Sequence, residues 1–120
     1  MQGYKDLIAW KKSIELVKEV YKVIALLPNC EQFALCSQMR RSAISIPSNI
    51  AEGYGRGSRK EYVRFLYVSK GSAYELETQL ILCEELGYIN YERIGKSLEL
   101  CNEAERLINS LINKFEKDLL

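Results

Sequence analysis

The chain contains no histidine among its 120 residues, and this absence excludes several kinds of site at once. A Ser-His-Asp triad, a Cys-His couple, a histidine-ligated zinc site and an imidazole switch near neutral pH all require that side chain. The Glu-x-x-His pairs that bind metals in di-iron helical bundles are excluded for the same reason. We therefore expect a non-catalytic protein without a cofactor or a metal site.

Long apolar runs are also missing. The longest aliphatic run, residues 23–27, has five members, whereas a helix needs ~20 apolar residues to span a bilayer. The first six residues carry charge and lack the apolar stretch of a signal peptide. These features predict a cytoplasmic protein that makes no membrane contact.

The four cysteines, at positions 30, 36, 83 and 101, form no C-x-x-C pair, so neither a zinc knuckle nor a thioredoxin-type motif is indicated. Cys36, Cys83 and Cys101 fall on the apolar lines described below. We interpret these three as small core side chains, with a redox or metal role as the alternative.

Neither sign of charge predominates, since 17 Lys and Arg face 16 Asp and Glu for a net charge of +1. This total gives no indication of a polyanionic partner, although it does not show how the charges are distributed. Apolar residues make up 48% of the chain and charged residues 28%, which is usual for a folded domain. The length predicts a single domain over residues 1–120.

Apolar residues recur at alternating spacings of three and four in four segments, which is the periodicity of an amphipathic helix. The short connections near 28–32, 53–57 and 87–90 favour antiparallel neighbours. The pattern therefore predicts an all-α fold, an up-down antiparallel four-helix bundle. The predicted core lines are Leu7, Trp10, Ile14, Val17, Tyr21 and Ile24, with Leu16, Val20, Val23 and Leu27 beside them; Cys36, Met39, Ala43, Ile46 and Ile50; Tyr62, Leu66, Ser69, Ala73, Leu76, Leu80 and Cys83; and Tyr91, Ile94, Leu98, Cys101, Ile108, Ile112, Phe115 and Leu119, interrupted by Glu105.

Local signals mark the helix ends. Asp6, Ser58 and Asn90 are the predicted N-caps of the first, third and fourth helices, Ser58 forms a capping box with Glu61, and Pro28 ends the first helix. Pro47 lies inside the second helix, where it would cause either a kink or a break. Because the apolar line keeps its phase across this proline, we predict one kinked helix reaching about Glu52, followed by a flexible turn over 53–57.

The third predicted helix carries a second apolar line, at intervals of seven, on a different face from its core line. The line consists of Tyr67, Tyr74, Ile81 and Tyr88, and we call it the tyrosine line. Exposed apolar lines are typical of subunit contacts, and tyrosine is favoured there. The alternative is that one or two of these rings lie flat on the bundle surface. We predict a homo-oligomer.

Charge is unevenly distributed along the chain. Residues 40–64 carry a net charge of +4 and residues 65–90 a net charge of −3. The basic segment surrounds a glycine-rich turn before a helix N-terminus, an environment that favours phosphate. The alternatives are a solvated turn, or arginines paired with the acidic segment of a neighbouring subunit. The candidate contacts to RNA or DNA are Arg40, Arg41, Arg56, Arg59, Lys60 and Arg64.

The run from Gln38 to Arg56, which includes Ser-Ile-Pro-Ser-Asn-Ile-Ala-Glu-Gly, resembles the signature of the four-helix-bundle proteins also called 23S rRNA intervening-sequence proteins or S23 ribosomal proteins. The opening at Tyr4 and the stretch from Gly71 to Leu80 resemble that family as well. The family is similar to the accessory protein of diversity-generating retroelements, a pentamer that works with a reverse transcriptase and RNA. The resemblance thus implies a pentamer and a partner such as a reverse transcriptase.

The resemblance also draws attention to the motif residues Pro47, Ser48, Asn49, Glu52 and Gly53. We interpret them as structural, either satisfying backbone groups that Pro47 leaves free or fixing the turn that follows. The leading functional hypothesis is an oligomeric bundle that binds structured RNA or another nucleic acid. The second is a protein-interaction scaffold with no nucleic-acid role, using the tyrosine line and the acidic segment.

Overall fold

Four helices make up most of residues 3–119, the part of the chain described by the computed structural model. They are α1 (Ile8–Ile24), α2 (Leu35–Tyr54), α3 (Arg59–Glu85) and α4 (Tyr91–Glu116). Short 3-10 turns at Tyr4–Asp6, Asn29–Glu31 and Lys117–Leu119 flank them, and no strand occurs among these residues. Residues 1, 2 and 120 of the predicted domain lie outside the described part.

The helices form a closed ring in which α1 packs against α2 and α4, and α3 packs against the same two neighbours. The molecule measures 45 × 28 × 24 Å, so its long axis follows the helices. The predicted all-α four-helix bundle is confirmed. Because successive helices run in opposite directions, the starts of α1 and α3 share one end of the bundle with the ends of α2 and α4.

The core lines predicted for α2 and α3 are confirmed, since every member from Cys36 to Ile50 and from Tyr62 to Cys83 is buried. In the fourth line Leu98 and Phe115 are only partly buried, and the terminal members Tyr91 and Leu119 are 69% and 45% exposed. The three cysteines assigned to the core are at most 4% exposed, as predicted. Tyr91 is the first residue of α4 and Leu119 lies beyond its end, so solvation at the ends of this helix explains their exposure.

The predicted face of α1 is partly wrong. Apart from Ile24, the residues that enter the core belong to the adjacent line, in which Ala9 and Ser13 precede Leu16, while Tyr21 of the main predicted line is 42% exposed. The small side chains of Ala9 and Ser13 are buried where α1 meets its neighbours. The Ser13 hydroxyl donates to the Trp10 carbonyl at 2.8 Å, which satisfies it without a partner from another helix.

Two of the three predicted N-caps are confirmed. The Ser58 Oγ accepts from the Glu61 N–H at 3.2 Å, and the Asn90 Oδ1 accepts from the Arg93 N–H at 2.9 Å. Asp6 instead closes the 3-10 turn before α1, where its carboxylate accepts from the Gly3 N–H at 3.3 Å. The first helix also ends at Ile24, before Pro28 is reached.

Helix α2 runs without a break through Pro47 and reaches Tyr54, so the continuous helix predicted across this proline is confirmed. The Asn49 amide donates to the carbonyl oxygen and the hydroxyl of Ser45, both at 2.8 Å. The Ser45 hydroxyl in turn lies 2.8 Å from the Ser72 hydroxyl of α3. Asn49 therefore helps to join α2 to α3, while Ser48 is exposed.

Gly53 is a buried residue of α2 and not part of a flexible turn, which corrects the sequence prediction. A Cβ atom at this position would lie 2.6 Å from the Phe65 Cβ and 3.2 Å from the Tyr62 carbonyl oxygen. The end of α2 and the start of α3 are therefore in direct contact here, at a distance that only glycine permits. The reversal itself occurs at Gly57, whose φ of +81° also favours glycine.

We expect Gly53→Ala to destabilise the protein by about 1–3 kcal/mol, because the added methyl group must displace Phe65 or the α3 backbone. Gly71→Ala is the matched control, since Gly71 lies inside α3 with no atom near its missing Cβ. There, alanine should stabilise the helix by about 0.5–1 kcal/mol. Urea denaturation followed by circular dichroism measures both changes. Equal stability of the two variants would contradict the close contact at Gly53.

Candidate nucleic-acid interface

Four of the six predicted basic residues gather where α2 turns into α3: Arg56, Arg59, Lys60 and Arg64. The antiparallel topology places the start of α1 and the end of α4 beside this turn. These two segments contribute Lys5 and Lys114, which the charge pattern of residues 40–64 could not include. We call this region, with its six cations, the basic end of the bundle.

Arg40 and Arg41 do not belong to the basic end. Arg40 lines a small cavity of about 170 Å³ beside the α1–α2 connection, together with Ile24 and Pro28. Arg40 and Arg56 are separated by sixteen residues, which amounts to ~24 Å at 1.5 Å per helical residue. The predicted patch is therefore divided between two regions of the molecule.

Arg56 and Arg64 lie against the same aromatic ring, with their guanidinium carbons 5.0 Å and 4.4 Å from the centroid of Phe65. Arg56 also pairs with Glu52 at 2.7 Å, and Arg64 binds Glu61 with two hydrogen bonds of 3.0 Å. The hydrogen bond from Arg64 lowers the pKa of Glu61. Exposed ion pairs of this kind contribute little to stability, so a phosphate can replace either carboxylate without disrupting the fold.

A second ring, Phe115 of α4, carries two further cations of the basic end. The Arg59 guanidinium lies 5.2 Å from its centroid and the Lys114 ammonium 5.4 Å. At the start of the chain the Lys5 ammonium lies 6.0 Å from the centroid of Tyr4. Cation–π contacts thus hold charged groups from three separate segments at one surface.

Four carboxylates near the basic end are engaged within the part of the chain that the structure describes. Glu52 and Glu61 bind arginines, Asp6 accepts from the Gly3 N–H, and Glu116 accepts from the Tyr67 hydroxyl at 2.8–2.9 Å. Each of these four carboxylates therefore has a partner within the chain. The six cations of the basic end add to the positive partial charge of the α3 N-terminus.

Five aromatic rings connect the four helix ends at this surface. They form a series of neighbours, Trp10, Tyr4, Tyr54, Tyr62 and Phe115, with centroid distances of 5.5, 6.4, 5.9 and 5.0 Å. We call this the aromatic cluster. Burial raises the pKa of Tyr62 to about 12, and its hydroxyl has no hydrogen-bond partner. Trp10, Tyr62 and Phe115 were predicted as core members, whereas Tyr4 and Tyr54 could be placed here only from the topology.

The tyrosine line lies on the outer face of α3, away from the basic end for most of its length. Tyr67, Tyr74 and Ile81 are 43–45% exposed, while Tyr88 is half-buried. The Tyr88 hydroxyl donates to Glu31 at 2.7 Å, which raises the pKa of Tyr88 to about 12. The two ends of the line thus contact residues of the same chain, whereas Tyr74 and Ile81 in its centre are open to solvent.

Comparison with known proteins identifies the family. Residues 5–110 match the family model of the 23S rRNA-intervening sequence proteins. The chain belongs to this family. A crystal structure from Bacteroides thetaiotaomicron VPI-5482, of a protein with unknown function from the S23 ribosomal protein family, has 27% identity and a TM-score of 0.81. The match covers 88% of this chain and 98% of that one, and no curated protein matches.

The family resemblance inferred from the proline-containing motif is therefore confirmed. Among residues 3–119, no helix combines the length and hydropathy of a membrane span. The same residues contain no group of three His, Cys, Asp or Glu side chains arranged to hold a metal ion.

A buried ion pair between Glu19 and Arg93 joins α1 to α4. Glu19 is 5% exposed and accepts from the Arg93 guanidinium at 2.7 Å. The ammonium groups of Lys22 and Lys96 lie 3.9 and 3.8 Å from the same carboxylate. Only the position of α4 reveals why a charged residue is buried here.

Glu105, which interrupts the predicted core line of α4, is 9% exposed and faces Glu77 of α3. Its carboxylate lies 3.7 Å from the Cys101 sulfur, which also donates to the Ala73 carbonyl at 3.3 Å. Burial, together with a hydrogen bond shared with Glu77, raises the pKa of Glu105 to about 7. Near neutral pH the Glu105 carboxyl group therefore carries a proton in part of the molecules.

We expect the protein to lose stability as the pH rises through 7. The folded-state pKa of Glu105, about 7, exceeds its usual value of 4.5. Protonation of Glu105 therefore contributes stability that is fully present below pH 4.5 and is lost as the pH rises through about 7. The melting temperature should fall by about 3–6 °C between pH 6 and 8.5. Because histidine is absent, no imidazole titrates in this window. Differential scanning calorimetry measures the change.

Glu105→Gln should abolish most of this decrease, because the amide stays neutral and can still hydrogen-bond to Glu77. Glu99→Gln, at an exposed position of the same helix, should retain the parental decrease. If Glu105→Gln melts with the parental pH dependence, the protonation of Glu105 is not the cause.

Proposed function

We propose that this chain is a non-catalytic, homo-oligomeric four-helix bundle that binds structured RNA, or another nucleic acid, through its basic end. The observation that carries the proposal is the gathering of six cations from three separate segments at one surface. Aromatic rings position five of them, and the neighbouring carboxylates are occupied. A cytoplasmic location is part of the same proposal.

A phosphate backbone fits this surface better than a small acidic metabolite does. The cations are distributed across an open end of the bundle and do not converge on an enclosed cavity, so they are suited to an extended polyanion. Arginine is prominent among them, and its planar guanidinium binds phosphate with two hydrogen bonds. The name of the matched family, which refers to 23S rRNA, agrees with an RNA-related role.

Assembly into an oligomer would strengthen the binding of nucleic acid by the basic end. One chain has a net charge of only +1, and its basic end offers few contacts. Several basic ends held in one oligomer would bind one nucleic acid with much higher avidity. The exposed centre of the tyrosine line supports self-association, and the similarity of the family to the pentameric accessory protein of diversity-generating retroelements supports a pentamer.

The triple variant Arg56→Ala, Arg59→Ala, Arg64→Ala should weaken binding of a labelled RNA roughly 100-fold at low salt. We also expect the slope of log affinity against log salt to fall by about 2 to 3, since each phosphate contact contributes roughly 0.7–0.9. Fluorescence anisotropy over a salt series measures both quantities. Melting curves establish that the variant is folded.

The matched control is Lys18→Ala, Lys22→Ala, Lys96→Ala, which removes the same charge from the α1–α4 face. Those lysines surround Glu15 and Glu19, away from the basic end. We expect this control to bind RNA within about threefold of the parent protein. Equal weakening by the two triple variants would show that net charge alone governs binding and would overturn the assignment of the site.

Substitution of two equally exposed isoleucines, one inside the tyrosine line and one outside it, tests whether this line forms the subunit contact. Ile81 lies in the tyrosine line and is 43% exposed, while Ile44 of α2 is 44% exposed outside it. Ile81→Glu should reduce the mass in light scattering to that of one 13.8 kDa chain, because it buries a charge in the subunit contact. Ile44→Glu should retain the parental mass. A monomeric parent protein at micromolar concentration would contradict the proposal.

A protein-interaction scaffold is the second candidate, and a specific groove favours it. Between α2 and α3, Leu35, Leu82 and Leu86 line an open groove of about 660 Å³ that contains Glu31 and Glu75 but no cation. This surface suits an apolar partner segment, such as one from a reverse transcriptase, and not a phosphate backbone. If the parent protein binds no RNA at low salt, this candidate is favoured over the first.

A further inference from the structure

Tyr54 is the member of the aromatic cluster that extends furthest into solvent at the centre of the basic end. It is the last residue of α2 and is 40% exposed. Tyr4 and Tyr62 meet its ring at interplanar angles of 65° and 86°, so neither ring lies flat against it. A planar group from another molecule can therefore use the exposed part of this ring.

The support behind Tyr54 is rigid. The adjacent Gly53 fixes the end of α2 against Phe65 and Tyr62 of α3. Tyr62, which contacts the Tyr54 ring at 5.9 Å, is 7% exposed and in turn packs on Phe115 at 5.0 Å. A ring held in this way loses little conformational freedom when it binds a ligand.

Positive groups flank the exposed ring. Arg56 follows two residues later, and the Lys5 ammonium lies over Tyr4, the ring next to Tyr54. Glu52 is paired with Arg56 at 2.7 Å and is therefore engaged. An exposed aromatic ring between cations is the combination by which proteins bind single strands, because bases stack on the ring while phosphates contact the charges.

We propose that Tyr54 stacks on an unpaired base, and that the basic end therefore recognises single-stranded segments of nucleic acid in preference to continuous duplex. This inference rests on the proposed function, since it names the class of ligand bound at the same site. A continuous duplex keeps the faces of its bases stacked on one another, so Tyr54 has no open base face to contact. In structured RNA the matching elements are loops, bulges and ends.

The experiment compares a labelled RNA strand of about 20 nucleotides with the same strand paired to its complement. Tyr54→Leu should weaken binding of the single strand about 5- to 100-fold and leave duplex binding within twofold. Tyr54→Phe should retain the parental affinity, because the ring is kept. Tyr91→Leu, at a 69% exposed position of the opposite end, is the matched control and should also bind like the parent. The salt slope should not change in any of these variants.

A second arm leaves the protein unchanged. A strand with abasic sites retains its phosphates but offers no bases, so the parent protein should bind it as weakly as Tyr54→Leu binds the intact strand. The stacking proposal would be overturned if the parent protein bound intact and abasic strands equally well, or if Tyr54→Leu kept full affinity for the single strand. Salt-dependent binding through the basic end would remain in either case. Absence of all binding at low salt would overturn the proposed function as well.

Discussion

At Gly53 the backbone of α2 comes so close to α3 that one added methyl group would overlap Phe65. This contact determines how the two helices meet and how short their connection can be. It sets Arg56 and Arg64 on the same ring, and it places Tyr54 against Tyr62. The surface that we assign to nucleic acid thus depends on Gly53, where a side chain would not fit between α2 and α3.

The bundle also shows how a nearly neutral chain can present a basic surface. Antiparallel packing brings together helix ends that lie far apart in the sequence, so cations near residues 5, 60 and 114 become neighbours. Carboxylates at the same end are bound by arginine, by a tyrosine hydroxyl or by a backbone amide. Other carboxylates are buried between helices, where Glu19 and Glu105 gain partners from α4 and α3. The distribution of charge therefore follows from topology more than from composition.

Much of the fold could be predicted, because apolar periodicity and the caps Ser58 and Asn90 depend on residues close in sequence. The face of α1 could be predicted only in part, since two apolar lines lie side by side there and the burial of the small Ala9 and Ser13 could not be read from apolar spacing. Gly53 resembled a turn residue because its neighbour Phe65 belongs to another helix. For the same reason the candidate site was only partly predicted: Arg40 is near Arg56 in sequence but ~24 Å away along the helix, whereas Lys114 is distant in sequence and close in space.

Hydrogen–deuterium exchange of the protein, with and without a single-stranded RNA at low salt, tests the assignment of the basic end most directly. Amides in turns exchange quickly unless a ligand covers them, so the readout does not depend on any substitution. We expect slower exchange in the turn over residues 55–58 and at residues 3–6 when RNA is bound. Protection confined to the α1–α2 connection near Arg40, or to the tyrosine line of α3, would contradict it.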